Sequence, residues 1–140
     1  MSGAAWLRRL AAAWYHLWAI AYHYRGNVTG KLSEYQRAEA NLTQALLWNP
    51  TRASFYLERG ILRWRELNRP QEAIQDFSLA LTLDPTLHEA RFNRGIAYQQ
   101  THGYPKARAD FKAYLAAVPD SPWREYAERY LASLDEANKA

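Results

Sequence analysis

The chain of 140 residues contains no cysteine and one methionine, with only six glycines and six prolines. Without thiols it can form no disulfide, no thiolate zinc site and no cysteine nucleophile. A long apolar run is also missing. The nearest candidate, Leu10 to Tyr24, falls short of the ~20 residues a spanning helix needs, and His16 and His23 interrupt it. No small-x-small cleavage site follows, and Tyr22-His23-Tyr24 is a poor ending for a signal peptide. A cytoplasmic location is therefore favoured, although the sequence does not fix the compartment.

Signatures of catalysis are absent as well. "GNVTGK" (26–31) has glycines and a lysine but neither the spacing nor the preceding strand of a phosphate loop, so it reads as an inter-helix connection. His16 and His23 stand seven apart, without the i, i+4 spacing of helical zinc ligands. Glu125 and Glu128 have Arg124 and Arg129 beside them, an arrangement that surface ion pairs explain. No enzyme activity, cofactor or metal is expected.

What the chain does have is aromatic bulk, ten Tyr and six Trp, in a sequence that is 49% apolar. The net charge of +4 is mild, and acids are mixed among the arginines. The densest basic run is Arg52, Arg59, Arg63, Arg65 and Arg69, without aromatics interleaved on one face. Nucleic acid is thus a disfavoured partner.

The chain also repeats itself. "YLERGILRWR" (56–65) is echoed by "RFNRGIAYQQ" (91–100), and Gly60 and Gly95 are 35 apart. Ala38, Ala73 and Ala107 follow at 35 and 34, as do Leu42, Phe77 and Phe111, and Pro50, Pro85 and Pro119. Four columns in step mark a repeated pair of helices, in which small residues allow close approach and prolines close each pair. Such a pair cannot bury its apolar face alone and must stack on its copies. Ser33 with Gln36 has capping-box spacing for a helix start, and Ser121-Pro122 opens a last helix.

These residues resemble the tetratricopeptide (TPR) repeat, especially the bacterial type with Asn-Arg-Gly in its first helix. "FNRGIAYQQTHGYPKARADFKAYLAAVPD" is close to complete, and "YLERGILRWRELNRPQEAIQDFSLALTLDP" has one extra turn residue. The resemblance implies an all-α helical-hairpin solenoid of three repeats at 14–50, 51–85 and 86–121. The first is degenerate, with Ala21 in the usual glycine place and about five extra residues in "RGNVTGKLS". An aromatic helical extension (1–13) would precede them, and a capping helix (122–140) would follow.

In such folds the first helices line a concave surface. A stripe at i, i+3, i+7 and i+10 then gives Tyr15, Trp18, Tyr22 and Arg25, next Ser54, Leu57, Ile61 and Trp64, and last Glu89, Phe92, Ile96 and Gln99. Asn93 holds the place where the family binds a peptide backbone. Lysines of the clamp that grips a terminal carboxylate are missing, since Tyr15, Ser54 and Glu89 stand there. The expected function is non-catalytic protein–protein interaction, with an apolar or amphipathic segment bound by Tyr15, Trp18, Tyr22, Leu57, Ile61, Trp64, Phe92, Asn93 and Ile96. The alternative is self-assembly, as a homo-oligomer or filament, through Trp6, Leu7, Leu10 and Trp14. A membrane surface is a disfavoured third partner.

Overall fold

The computed structural model describes residues 2–137 and 139, and among these are seven α-helices and no strand. They are α1 (Gly3–Thr29), α2 (Leu32–Trp48), α3 (Ala53–Arg65), α4 (Pro70–Leu83), α5 (His88–Gln100), α6 (Tyr104–Ala117) and α7 (Arg124–Ala137). α1 packs on α2, α3 on α4 and α5 on α6, while α2 meets α3, α4 meets α5 and α6 meets α7. Three hairpins stack in chain order and α7 closes the far end.

Proline punctuation works as the repeat requires. Pro50, Pro85 and Pro119 each stand two residues beyond the end of a helix, where a missing N–H and a restricted predecessor stop further winding. Pro70 and Pro105 sit in the first turns of α4 and α6, where the N–H would go unused anyway.

The glycines explain why the hairpins close so tightly. A Cβ on Gly60 would stand 2.6 Å from the Phe77 ring, and one on Gly95 would stand 2.9 Å from the Phe111 ring. Both rings are fully buried, so neither can retreat. In the first hairpin Ala19 packs with Ala38 and Leu42, and the smaller leucine leaves room for the methyl.

Three local expectations are corrected. The segment 26–29 is helix rather than loop: α1 continues to Thr29, and the turn consists of Gly30, at a left-handed φ of 66°, and Lys31. Gly26 permits this extension because the Tyr35 ring lies 2.6 Å from where its Cβ would be. The capping box at Ser33 does not form; α2 begins at Leu32, two residues before the start that box would set, and Lys31 ahead of it gives no side-chain cap. α7 starts at Arg124 rather than Pro122, although Ser121 still serves it by accepting a 3.0 Å bond from the Trp123 N–H. Ser121 is buried and also bonds the Tyr114 hydroxyl at 2.5 Å, which ties the end of α6 to the start of α7.

A polar latch recurs between the hairpins. Arg59 donates to both oxygens of Asp76 at 2.7 and 2.9 Å and to the Thr43 hydroxyl of the preceding hairpin at 3.1 Å. Arg94 does the same one unit later, to Asp110 at 2.8 and 2.8 Å and to Ser78 at 3.1 Å. Burial lowers the Arg59 pKa, but the hydrogen bonds and the charge of Asp76, with smaller help from Tyr56 and Glu39, together outweigh it and hold the guanidinium above its ordinary value. Arg63 binds Glu39 at 2.7 Å and Asp76 at 3.0 Å, and Arg69 also pairs with Glu39. Three of the five arginines in the dense run, Arg59, Arg63 and Arg69, are thus committed to the carboxylates of Asp76 and Glu39.

Candidate functional site

The third hairpin and α7 build a concave aromatic pocket. Its walls are Ile61, Trp64 and Arg65 of α3, His88, Glu89, Phe92, Asn93 and Ile96 of α5, Tyr114 and Val118 at the end of α6, and Trp123, Tyr126 and Tyr130. The cavity measures about 550 Å³, the size range of binding clefts. Phe92 is its floor, with ring centroids 5.1 Å from Tyr114, 5.9 Å from Phe111 and 6.3 Å from Trp123. Tyr130 stacks on Phe111 at 5.2 Å and an interplanar angle of 4°, which fixes α7 against the last hairpin.

Asn93 orients the pocket from within. Its amide oxygen accepts from the Trp64 indole N–H at 3.2 Å, and its amide nitrogen donates to the Glu89 carbonyl at 2.8 Å. One N–H and one acceptor site on this amide remain for a ligand. Arg65 is the single arginine or lysine of the lining, and Glu89 the single carboxylate. The His88 Nδ1 is buried and has no protein partner.

Five of the expected contact residues, Ile61, Trp64, Phe92, Asn93 and Ile96, converge on this pocket. The others do not. Leu57 is buried in the core with Ala73, Phe77 and Ala90, so its place is in packing rather than in the lining. Tyr15 packs on Ala12, Ala45, Leu46 and Phe55, and Tyr22 on Ala19, Ala38, Leu42 and Leu62. Trp18 is exposed, with its ring 6.1 Å from Trp14 and 5.9 Å from Tyr22.

The reason is register. Ala19, not Ala21, is the close-approach residue of α1, and two residues rotate a helix by roughly 200° at 3.6 residues per turn. The side of α1 that faces α3 therefore carries His16, Ala19, Ile20 and His23. His16 meets Glu58 at 2.6 Å, while the other three line a second hollow of about 260 Å³ with Glu58, Ile61 and Arg65.

Within that hollow His23 has a buried Nε2 without a hydrogen-bond partner, and its ring lies 5.9 Å from Tyr35. Burial, and then the charge of Arg65, holds its pKa below the ordinary 6.5, against the opposing pull of Glu66 and Glu58. Between the two values the unfolded chain binds the proton more readily. This contribution to stability is complete above 6.5 and is lost as the pH falls from 6.5 through the lowered folded value. His23→Gln is expected to flatten the melting temperature between about pH 7 and pH 5, read by circular dichroism. An unchanged slope would place the acid sensitivity elsewhere.

The sequence reading missed Trp123, Tyr126 and Tyr130, having taken the last helix for a solvated cap. Their spacing of three and then four residues was the available signal, since it puts three aromatics on one helix face.

No protein-family model matches the chain. Its likeness to solved structures is strong. The TPR domain of Arabidopsis OM64 superposes with a TM-score of 0.77 at 26% identity, covering 90% of this chain and 98% of that one. The chain has the TPR fold. The second TPR domain of human RPAP3, in complex with the HSP70 peptide SGPTIEEVD, gives 0.68 at 25% identity over 86% of this chain and 98% of that one. The Yersinia enterocolitica type III secretion chaperone SycD, in complex with a peptide of the translocator YopD, gives 0.77 over 90% and 93%. At 14% identity the last is a likeness of fold alone. Two of these three structures are thus peptide complexes. Among the described residues of this chain no helix is long and apolar enough to cross a membrane.

Proposed function

We propose that this TPR chain is a non-catalytic interaction module that takes a peptide segment into the pocket between α3, α5 and α7. The segment is anchored by one or two large apolar side chains. The observation that carries the reading is the aromatic cavity of about 550 Å³, which has a single guanidinium and a single carboxylate among its walls. Peptide complexes of RPAP3 and SycD support it by showing what this fold accommodates. Gripping an acidic C-terminus calls for several cations converging on one carboxylate. Here Arg65 is paired with Glu66 at 2.8 Å and shares its hollow with Glu58 and Glu89, so an apolar or amphipathic segment is the better match. Asn93 would hold Trp64 in place and offer its remaining N–H to the peptide backbone. Its neighbours Arg94 and Gly95 complete the Asn-Arg-Gly signature, and we place the third unit in the bacterial type on that basis.

The test is selection of binders from a random peptide display library, followed by titration with a Trp123→Ala variant. Trp123 is exposed at the rim, so its truncation leaves the core intact. Selected peptides are expected to share a large apolar residue, and the variant to bind them on the order of 30-fold more weakly, the loss of about 2 kcal/mol typical of an aromatic hot spot. Selection of acidic C-termini, or binding indifferent to Trp123, would overturn the reading.

A further inference from the structure

The outer side of α1 carries a second surface, independent of the pocket. Leu7, Leu10, Trp14, Leu17, Ala21, Tyr24 and Val28 follow one another at alternating intervals of three and four, and all seven are exposed. That interval pattern is the a/d seam of a coiled coil, carried along the whole helix. On the opposite side Ala12, Ala19 and Gly26, seven apart, are the buried positions that seat α1 on its own hairpin. α1 is therefore two-faced: small residues turn inward and the large apolar ones turn outward. Trp14, Leu17 and Tyr24 are 60%, 63% and 69% exposed, and Trp6 and Trp18 widen the stripe.

We infer that this seam is the interface of a homodimer, in which α1 of one copy packs antiparallel on α1 of a second. Size is the first argument. Eight large side chains at on the order of 100 Å² exposed apiece give roughly 800 Å² of apolar surface, the per-partner area of a standard protein interface. Such a patch is larger than monomers leave bare.

Complementarity is the second. In the antiparallel register Trp14 of one copy meets Leu17 of the other, Leu10 meets Ala21, and Leu7 meets Tyr24, so large residues face smaller ones. A parallel register would set Trp14 on Trp14. It would also bring the two copies of Arg25 together, whereas the antiparallel one separates them by almost the length of the seam. Arg25 stands beside the seam and is already paired with Glu34 at 3.2 Å.

The far end of the solenoid sets the symmetry. Stacking α1 on α7 would build a filament, but the outer side of α7 carries the Arg124–Glu128 and Arg129–Glu125 pairs at 2.7 and 2.8 Å. An apolar seam has no match there, whereas a two-fold axis through α1 closes the assembly. A membrane surface fits less well. Arg9 lines a cleft with Ala12, His16 and the start of α3, on the body side of the helix, where it could not meet anionic headgroups beneath the seam.

The experiment is light scattering on the full chain during size-exclusion chromatography. Wild type is expected at twice the 16.3 kDa chain mass, and Trp14→Glu with Leu17→Glu at a single chain mass with unchanged helicity by circular dichroism. The absence of native cysteine allows a direct check of register. An equimolar mixture of Leu10→Cys and Ala21→Cys proteins should cross-link on oxidation, while Leu10→Cys alone should not. A monomeric wild type overturns the dimer, and one that also co-sediments with phosphatidylglycerol vesicles assigns the face to a bilayer. A dimer that survives both glutamates lies on another surface. Cross-linking of Leu10→Cys alone replaces the antiparallel register by the parallel one.

Discussion

Asp76→Ala is expected to destabilise the chain by about 3–5 kcal/mol, the range measured when one partner of a buried ion pair is removed. Asp76 is 1% exposed and receives Arg59 through two nitrogens and Arg63 through a third. Removing the carboxylate strands the Arg59 guanidinium inside, with only Thr43 left to receive it. Because Arg59 reaches both its own hairpin and the preceding one, the loss loosens the stacking of units as well as one helix pair. Asp76→Asn keeps an acceptor oxygen and should fall between the two. Urea denaturation of the three proteins measures the series. A change below about 1 kcal/mol for the alanine would mean that the latch behaves like a surface ion pair.

Phe77→Ala is expected to have a comparable effect, about 3–5 kcal/mol, since a fully buried ring is deleted and the site cannot collapse. The ring lies between Gly60 and the cluster of Leu57, Ala73, Ala80, Ala90 and Ala97, so its own hairpin and the one that follows lose contacts. The chain contains its own control. Leu42 fills the equivalent place in the first hairpin, where Ala19 replaces glycine. Phe77→Leu alone should therefore recover more than half of the loss. Combining it with Gly60→Ala should be better tolerated than Gly60→Ala alone, whose methyl would strike the Phe77 ring. Thermal and denaturant unfolding of the four variants decides this. Additive effects at positions 60 and 77 would contradict the packing described.

How much of this was legible in the sequence depended on which unit was being read. The second and third units share glycine, alanine, phenylalanine and proline columns, so their helices and facing residues could be counted from Gly60 and Gly95. The first unit has no glycine at the close-approach position, and its first helix has 27 residues against 13 in each of the others, about four turns more. Counting from Ala21 instead of Ala19 then moved Tyr15, Trp18 and Tyr22 to the wrong side of α1. A helix punishes such an error severely, because one residue is roughly 100° of rotation. The same register error truncates the seam: the sequence assigns self-association to Trp6, Leu7, Leu10 and Trp14, and leaves out Leu17, Ala21, Tyr24 and Val28.

The latch was readable and was not read. Arg59 and Arg94 are 35 apart, Asp76 and Asp110 are 34 apart, and Thr43 and Ser78 are 35 apart, which is the repeat period again. These polar columns keep the same step as the apolar ones. The aromatic wall from α7 could not be placed from sequence in the same way. Which face of a terminal helix turns inward is set by Tyr130 on Phe111 and by the Ser121–Tyr114 bond, and both are tertiary contacts.

The pocket at Phe92 is the centre of the proposed peptide binding, and a two-dimensional NMR titration of the isotope-labelled chain with a display-selected peptide is its sharpest test. The predicted result is a set of saturable shifts at the Trp64 and Trp123 indole N–H groups, the Asn93 side-chain amide and the backbone of Ile96, with the Trp14 indole unmoved. Shifts centred on Trp14 and Leu17, or spread along the arginines of α3 with Trp64 unperturbed, would contradict it.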